Sequence, residues 1–321
     1  MPLLEVNNLV VRYRVDTGAS WRSQATLTAV DEVSFSLNKN ESLGLVGESG
    51  CGKSTLGRAV LRLLEPASGK IVFDGQDITH SSSSRMRPLR RRMQMIFQDP
   101  AGSLDPRMTV EESVGEALSI HRLAANRKDR RAKVESLLQR VGLTAEHADR
   151  FPHEFSGGQR QRIGIARALA VQPELLVCDE PVSALDVSVQ AQIVNLLQDQ
   201  QAQSGVTYLF ISHDLAVVEH LCQRLMVMYL GRVMEYGSTK AITQAPAHPY
   251  TQALITAIPT LRSGGIAAPT SLRGEVPSRL APPTGCPFHP RCPIAEKRCR
   301  EEVPQLRTLA SGQAAACHLA G

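Results

Sequence analysis

The sequence lacks any apolar run that approaches the ~18 residues of a membrane-spanning helix. It begins Met1-Pro2-Leu3-Leu4-Glu5, without a basic region followed by an apolar core, so no secretory leader is predicted. It also lacks a strong net charge: the value is +5, and the pI is near 8.9. This mildly basic character permits contact with nucleotides or a membrane surface but does not indicate a nucleic-acid partner. We therefore expect a cytosolic protein. Its 321 residues, 42% of them hydrophobic, suffice for one large domain with an appendage.

A phosphate-binding loop is the clearest motif present. Residues 47–54 match G-x-x-x-x-G-K-[ST] at every fixed position. The run Ser42 to Val46 precedes them as a buried strand would, and Thr55 to Leu64 carries apolar residues at helical spacing. Between strand and helix, backbone N–H groups surround phosphate oxygens, and glycines let the backbone approach the anion. The predicted ATP-binding residues of this loop are Gly47, Glu48, Ser49, Gly50, Cys51, Gly52, Lys53, Ser54 and Thr55.

Two roles within this loop follow from its chemistry. Lys53 is expected to reach the β- and γ-phosphates as a point charge, and the Ser54 hydroxyl to bind Mg²⁺.

Two acidic residues end a second apolar strand, Leu175 to Glu180. Because side chains alternate along a strand, Asp179 and Glu180 are expected on opposite sides and in different roles. Asp179 suits the Mg²⁺ shell beside Ser54, and Glu180 suits polarisation of the attacking water. Such acids alone are more often solvated turn residues, but the phosphate loop in the same chain favours the catalytic interpretation.

Polar residues follow two more strand-like runs. His213 follows Thr207 to Ser212, and Gln98 follows Met93 to Phe97. Open α/β sheets bind ligands at the carboxyl ends of their strands, so His213 is expected to contact the γ-phosphate and Gln98 to bridge metal and water. The predicted catalytic residues are Glu180, His213 and Gln98, and the predicted Mg²⁺ ligands are Ser54, Gln98 and Asp179.

A second phosphate site is predicted at residues 155–159, Phe-Ser-Gly-Gly-Gln. Arg160 to Ala170 has helical spacing, so Ser156 is a natural N-cap, and the two glycines after it expose backbone donors. The alternative is an ordinary helix start that binds nothing. Upstream, Glu111 to Leu123 and Asp129 to Val141 are predicted helices of a helical subdomain at about residues 99–172.

The order of these motifs resembles the ATP-binding subunit of an ABC transporter over about residues 3–240. The resemblance implies an α/β P-loop NTPase fold, with a RecA-like sheet, an antiparallel β-subdomain and an inserted helical subdomain. It implies ATP hydrolysis by a dimer, in which residues 156–159 close over the partner's ATP, and it implies that Tyr13 stacks on adenine. The signature residues are Ser156, Gly157, Gly158 and Gln159, and the D-loop residues are Ser183, Ala184, Leu185 and Asp186.

From about Pro246 the pattern changes, because prolines, glycines and turn residues dominate and strong periodicity disappears. His248 to Leu254 and Gly274 to Ser278 resemble the C-terminal extension of oligopeptide and dipeptide importer ATPases. We therefore predict an ABC nucleotide-binding domain at residues 1–245 and an extension with four clustered cysteines at 246–321.

The resemblance also implies partners and a location. These are a second, paralogous ABC ATPase (a heterodimer being favoured), two membrane permease subunits and, indirectly, a substrate-binding protein, at the cytoplasmic face of the inner membrane. The expected cargo is a dipeptide or oligopeptide. Nickel, glutathione or haem import stays open, as does a soluble ABC ATPase acting on ribosomes or DNA. The chain lacks the second ATP domain or long coiled-coil insertion typical of that last class.

Four of the seven cysteines lie in the extension: Cys286, Cys292, Cys299 and Cys317. No two of them stand two to four residues apart, which is the usual spacing at structural zinc. Iron–sulfur sites are held by cysteine thiolates, and proline follows Cys286 and Cys292. The residues leave an iron–sulfur centre, zinc and free thiols open, and the family resemblance implies a [4Fe-4S] cluster.

Overall fold

The structure is a computed structural model that describes residues 1–16, 24–100, 102–183, 185–256 and 274–320. It divides into two compact units. The first contains Met1–Leu37, Ser42–His80 and Ser212–Gly321, and the second contains Asn38–Glu41 and Ser81–Ile211. Within the described ranges, no helix is both long and apolar enough to cross a membrane. The predicted D-loop residue Ala184 lies outside the described residues.

Strands and helices alternate along the chain as an α/β fold requires. The strands are β1 (Leu4–Asp16), β2 (Gln24–Leu37), β3 (Ser42–Val46), β4 (Ser68–Phe73), β5 (Gln76–Asp77), β6 (Met93–Ile96), β7 (Leu175–Asp179), β8 (Thr207–Ile211), β9 (Arg224–Tyr229), β10 (Arg232–Ser238), β11 (Arg307–Thr308) and β12 (Ala314–Ala315). The helices are α1 (Lys53–Val60), α2 (Ser83–Arg92), α3 (Val110–Ile120), α4 (Arg127–Arg140), α5 (Gly157–Leu169), α6 (Val187–Ser204), α7 (Leu215–Leu221), α8 (Thr239–Gln244), α9 (Pro249–Thr256) and α10 (Lys297–Glu301).

The first unit contains an antiparallel sheet with the strand order β2-β1-β4-β5. Along β1, Leu4 and Val6 are buried while Glu5 between them is partly exposed, which is the alternation expected of a sheet with one buried face.

The same unit contains a second run of strands in the order β11-β12-β10-β9-β3. β3 is parallel to β9, and the other neighbours are antiparallel. Every residue of β3 is buried, as its apolar sequence predicts, and the strand leads directly into the phosphate loop. The helix that follows is shorter than the predicted Thr55–Leu64: it ends at Val60, and Arg62 takes a left-handed φ of 55° that cannot continue a right-handed helix.

In the second unit, β6, β7 and β8 form a parallel sheet in the order β8-β7-β6. All residues of β7 and β8 are buried, which explains why both read as continuous apolar runs. The two predicted helices upstream of the signature are confirmed as α3 and α4, with slightly different ends. A 2.9 Å ion pair between Arg130 of α4 and Glu111 of α3 links them.

The C-terminal segment belongs to the first unit and is more structured than its weak periodicity suggests. Its strand β12 pairs with β10, and Ala316 donates a backbone hydrogen bond to Met234 O at 2.8 Å. Helix α9 has eight residues and each strand has two, so these elements are too short to produce a periodic pattern. The boundary between residues 245 and 246 stays a prediction.

Aromatic rings anchor this segment. Tyr250 and Phe288 pack against Tyr229, with ring centroids 4.8 and 5.4 Å from it. The buried carboxylate of Glu235 accepts the N–H groups of Ala247 (2.8 Å) and His248 (3.0 Å), which fixes the start of α9. Burial raises the pKa of Glu235 and lowers the pKa of His248 to about 4.

Candidate functional site: a phosphate loop and its companion motifs

The phosphate loop lies between β3 and α1, as predicted. Gly47, Gly50 and Gly52 have φ values of 150°, 75° and 110°, a region that other residues rarely adopt. A Cβ atom on Gly47 would lie 2.2 Å from the carbonyl oxygen of Met228, and one on Gly52 would lie 2.2 Å from that of Ala29. Glycine is therefore required at both positions for the loop to keep this shape.

Lys53 begins α1, and its side chain turns back over the loop. The residue is only 4% exposed, and Nζ donates to the carbonyl oxygens of Gly47 (2.8 Å) and Glu48 (3.2 Å). Gly52, which caps α1, has no side chain to accept the first N–H groups of the helix. An ammonium group and a helix N-terminus at one glycine-rich loop fit the phosphates of ATP.

Tyr13 lies on β1 and is half-buried. Its hydroxyl donates to Thr55 Oγ1 at 3.4 Å, so the predicted adenine-stacking residue contacts the end of the loop motif. The stacking itself stays a prediction. In the loop, Cys51 is buried, and this burial raises the pKa of its thiol.

The two acids after β7 differ in burial. Asp179 is the last strand residue and is fully buried, whereas Glu180 is partly exposed. The alternation argument for separating them is wrong in its detail. The strand ends at Asp179, and Glu180 takes a left-handed φ of 46°, so the backbone turn sets the direction of Glu180.

Glu180 is held from several sides. Gln98 Nε2 donates to its carboxylate Oε2 at 3.0 Å, which brings two predicted catalytic residues into contact. The Glu180 N–H donates to Ile211 O at 3.0 Å, and its carbonyl oxygen accepts from Ser183 Oγ at 3.1 Å. The strained turn is therefore fixed by the neighbouring strand and by the first D-loop residue.

The signature residues form the N-terminus of α5, as predicted. Ser156 Oγ accepts the N–H of Gln159 at 3.3 Å, and the Gln159 side chain accepts the N–H of Ser156 at 3.0 Å. This reciprocal capping box fixes the start of a 13-residue helix. Gly157 is exposed, and a Cβ atom built on it would have no neighbour within 4 Å, so the backbone there is open to an approaching group.

The D-loop ends at the cap of α6. Asp186 accepts the N–H of Val189 at 2.9 Å, and Gln190 Nε2 donates to Leu185 O at 3.0 Å. A hydrogen bond from the Ser188 hydroxyl, followed by the Val189 N–H, lowers the pKa of the Asp186 carboxyl. The loop is thus bound to the helix that follows it.

His213 is exposed and lies in the turn before α7. Its neighbours fix that turn: the N–H of Asp214 donates to Ser212 Oγ at 2.9 Å, and the Asp214 carboxylate caps the N–H of Ala216 at 2.8 Å. The γ-phosphate contact of His213 stays a prediction. So does the Mg²⁺ ligand set, since Ser54 belongs to the first unit and Gln98 and Asp179 to the second.

All four tail cysteines are free thiols; Cys286 and Cys299 are buried, and Cys292 and Cys317 partly so. Burial raises the pKa of Cys286 to about 11, and the other three thiols add to this shift, so the four are electrostatically coupled. Within the described part of the chain, no group of three or more His, Cys, Asp or Glu side chains is arranged to hold a metal ion. Thiolates are soft donors suited to iron–sulfur clusters, and any metal would have to displace their protons.

Sequence reasoning missed three tail residues beside the phosphate loop. Tyr250 and Arg291 hydrogen-bond to Glu48, and Arg279 lies close enough to Cys51 to influence its thiol electrostatically. Their local sequence gives no signal, because the contacts join positions some 200 residues apart.

The sequence matches two family profiles. The profile described as "ABC transporter" matches residues 30–183, and "Oligopeptide/dipeptide transporter, C-terminal region" matches residues 234–299. Among curated proteins, "Oligopeptide transport ATP-binding protein AppF" of Bacillus subtilis is 49% identical over 320 residues, covering 99% of this chain and 97% of that protein. "Putative peptide import ATP-binding protein BOV_A0347" of Brucella ovis is 51% identical, covering 98% and 97%.

Solved structures resemble the fold. The ATP-binding cassette MJ0796, solved as a dimer bound to ADP and Pi, gives a TM-score of 0.66 at 27% identity and covers 74% of this chain and 98% of that one. CbiO1 from Clostridium perfringens, part of the ABC transporter complex CbiONQ, gives 0.64 at 28% identity and covers 76% and 91%.

The phosphate loop, the capped signature helix and these similarities define an ABC-type ATPase cassette, which confirms the predicted cassette fold and the predicted ATPase activity. Within that class, the chain belongs to the family of ATP-binding proteins of oligopeptide and dipeptide transporters.

Proposed function

We propose that this chain is the ATP-hydrolysing subunit of an ABC importer that powers the uptake of dipeptides or oligopeptides across the cytoplasmic membrane. The observation that carries the proposal is that the chain is about half identical, over nearly its full length, to proteins named for oligopeptide transport or peptide import. The match of residues 234–299 to a C-terminal region described for oligopeptide and dipeptide transporters supports the same substrate class.

In the proposed mechanism, Lys53 and the N-terminus of α1 bind the ATP phosphates, and Tyr13 stacks on adenine. Mg²⁺ would neutralise charge at the phosphates, and the residues proposed to hold it are Ser54, Gln98 and Asp179. Glu180 accepts a proton from the attacking water, and its hydrogen bond with Gln98 orients the carboxylate.

The remaining motifs act between subunits. The N–H groups of Gly157 and Gly158, at the start of the capped signature helix, bind the γ-phosphate of ATP held by a second, paralogous ATPase. The D-loop and His213 complete the paired site. The dimer drives conformational changes in two membrane permease subunits, to which a substrate-binding protein delivers the peptide. Because the chain binds these permeases, it lies peripherally on the cytoplasmic face of the membrane.

We further propose a [4Fe-4S] cluster held by Cys286, Cys292, Cys299 and Cys317. The proposal is supported by four cysteines within residues 286–317, none of which forms a disulfide, because iron–sulfur clusters are held by cysteine thiolates. When bound, the cluster cross-links its segment, and it is structural because neither ATP hydrolysis nor peptide passage includes a redox step.

Anaerobic purification tests the cluster. We expect a brown protein that contains iron and sulfide, and we expect Cys292→Ser to lose both. Cys222→Ser, which alters a buried cysteine outside the extension, serves as the control and should retain them. A colourless protein with stoichiometric zinc would reject the proposal.

Uptake of labelled dipeptides by a strain that lacks this gene tests the transport function. Uptake should fall in the deletion strain, return with the wild-type gene and stay low with Lys53→Ala. Lys70→Ala, which changes a lysine of β4 that is 55% exposed, should restore uptake fully. If the deletion strain took up dipeptides normally but no longer took up nickel, glutathione or haem, that compound would replace peptides as the proposed substrate.

A further inference from the structure

We propose that Tyr250 and Arg291, both from the C-terminal segment, are positioning residues for the phosphate loop: they hold Glu48 so that the loop keeps its ATP-binding shape. The inference rests on the proposed function, in that ATP is taken as the ligand of the loop.

The first contact is a two-pronged ion pair. Arg291 Nη1 lies 2.6 Å from Glu48 Oε2, and Nη2 lies 3.0 Å from Oε1. The Arg291 side chain is only 4% exposed and that of Glu48 is 24% exposed. Because both prongs of the guanidinium are used, the pair fixes the plane of the carboxylate as well as its position. Water screens such a sheltered pair poorly, so its loss affects the loop strongly.

The arginine is itself anchored to the sheet that carries the loop. Its Nη1 also donates to the Tyr229 hydroxyl at 3.4 Å, and its guanidinium carbon lies 5.8 Å from the centre of the Tyr229 ring. Tyr229 ends β9, which pairs in parallel with β3, the strand that enters the loop. Arg291 therefore connects Glu48 to a rigid element.

The second contact acts on the backbone. The Glu48 N–H donates to the Tyr250 hydroxyl at 2.9 Å, and Tyr250 is fully buried between aromatic rings. Since this N–H is already used, the phosphates must bind the other N–H groups of the loop. Tyr250 thereby sets the direction of the peptide group that joins Gly47 to Glu48.

The third contact is made by Lys53, the lysine proposed to bind the phosphates. Lys53 Nζ donates to the Glu48 carbonyl oxygen at 3.2 Å, so the carboxylate, N–H and carbonyl of one residue are each held by a different side chain. If Arg291 or Tyr250 releases Glu48, the carbonyl that orients Lys53 moves as well. Nucleotide affinity should therefore depend on two residues that are expected to contact no nucleotide.

ATP titration of the purified full-length chain, with the melting temperature measured alongside, tests this inference. Tyr250→Phe removes only the hydroxyl and keeps the ring packing, and it should raise the Kd for ATP about fivefold to tenfold, as the loss of one hydrogen bond predicts. Arg291→Gln should raise the Kd by about tenfold to a hundredfold, because a charged, two-pronged contact is lost. A purely structural role would lower the melting temperature and leave the Kd of the folded protein unchanged.

Arg298→Gln is the matched control. Arg298 precedes Cys299 as Arg291 precedes Cys292, but its side chain is 58% exposed and pairs with Glu302 at 2.8 Å. We expect this variant to bind ATP like the wild type. An equal loss of affinity in Arg298→Gln would overturn the inference, because it would show a general effect of the segment.

A double-mutant cycle tests whether Arg291 affects ATP binding through Glu48. In a Glu48→Gln background, Arg291→Gln should weaken ATP binding little further, because its partner is already altered. Fully additive losses, or a Tyr250→Phe variant that binds ATP as tightly as the wild type, would overturn this inference alone. A wild-type chain that binds no ATP would overturn the proposed function as well.

Discussion

Gln98 and Glu180 are joined by a 3.0 Å hydrogen bond from the Gln98 amide to the Glu180 carboxylate. The bond links Gln98, two residues beyond the end of β6, to Glu180, the residue after β7, and these two strands are parallel neighbours. Because the carboxylate accepts this bond, its orientation is constrained by the Gln98 amide. The pair therefore holds the proposed base in position relative to Gln98.

Glu180→Gln should leave ATP binding intact and slow hydrolysis by about 10²- to 10⁴-fold, because an amide of the same shape cannot accept the proton of the attacking water. Single-turnover hydrolysis together with an ATP titration measures both quantities. The control is Glu174→Gln at the opposite end of β7, where Glu174 pairs with Arg92 at 2.9 Å. Near-normal hydrolysis by Glu180→Gln would refute its role as the base.

Lys53→Ala should weaken nucleotide binding itself, since it removes the ammonium group that the loop surrounds. Titration with a fluorescent ATP analogue checks the loss of affinity, and Lys70→Ala should bind the analogue normally. If Lys53→Ala bound ATP as the wild type does, the assignment of residues 47–54 as the ATP site would fail.

Gly157→Asp should spare ATP binding by the isolated subunit and block hydrolysis by the paired enzyme. A side chain at this position meets nothing within 4 Å in its own chain, so the substitution need not disturb the fold. It places a negative charge where a partner's γ-phosphate is expected. The nearly isosteric Gly157→Asn separates charge from bulk and should retain more activity. Equal activity of Gly157→Asp and the wild type in the assembled transporter would contradict a role across the dimer.

Acidification should destabilise the first unit through His248. Its pKa in the folded protein lies near 4 because the ring is buried, whereas the unfolded chain takes up the proton near 6.5. Stability is therefore lost as pH falls from 6.5 towards 4, by at most about 3 kcal/mol. Glu235, whose pKa burial raises, binds its proton more readily in the folded state and offsets part of this loss.

Thermal unfolding at pH 7.5 and pH 5 measures this effect. The stability of His248→Gln should depend less on pH than that of the wild type, and exposed His220→Gln should behave like the wild type. The same pH dependence in His248→Gln and the wild type would assign the acid sensitivity to another group.

Local patterns predicted most of the site. The glycines of the loop, strand β3 before it and the N-cap Ser156 depend on neighbours in sequence, so the sequence indicates them directly. The early end of α1 at Val60 and the left-handed turn at Glu180 were not predicted, because packing sets them. The pairing of Glu48 with Arg291 leaves no trace in either local sequence.

That pairing joins residues 243 positions apart in the chain. At a synthesis rate of about 5–20 residues per second, the ribosome makes Arg291 roughly 12–50 s after Glu48. During this interval the phosphate loop of the nascent chain lacks its contact with Arg291. For most of the interval it also lacks its contact with the Tyr250 hydroxyl. The nucleotide pocket of a newly made subunit is therefore completed late in translation, long after its own loop has left the ribosome.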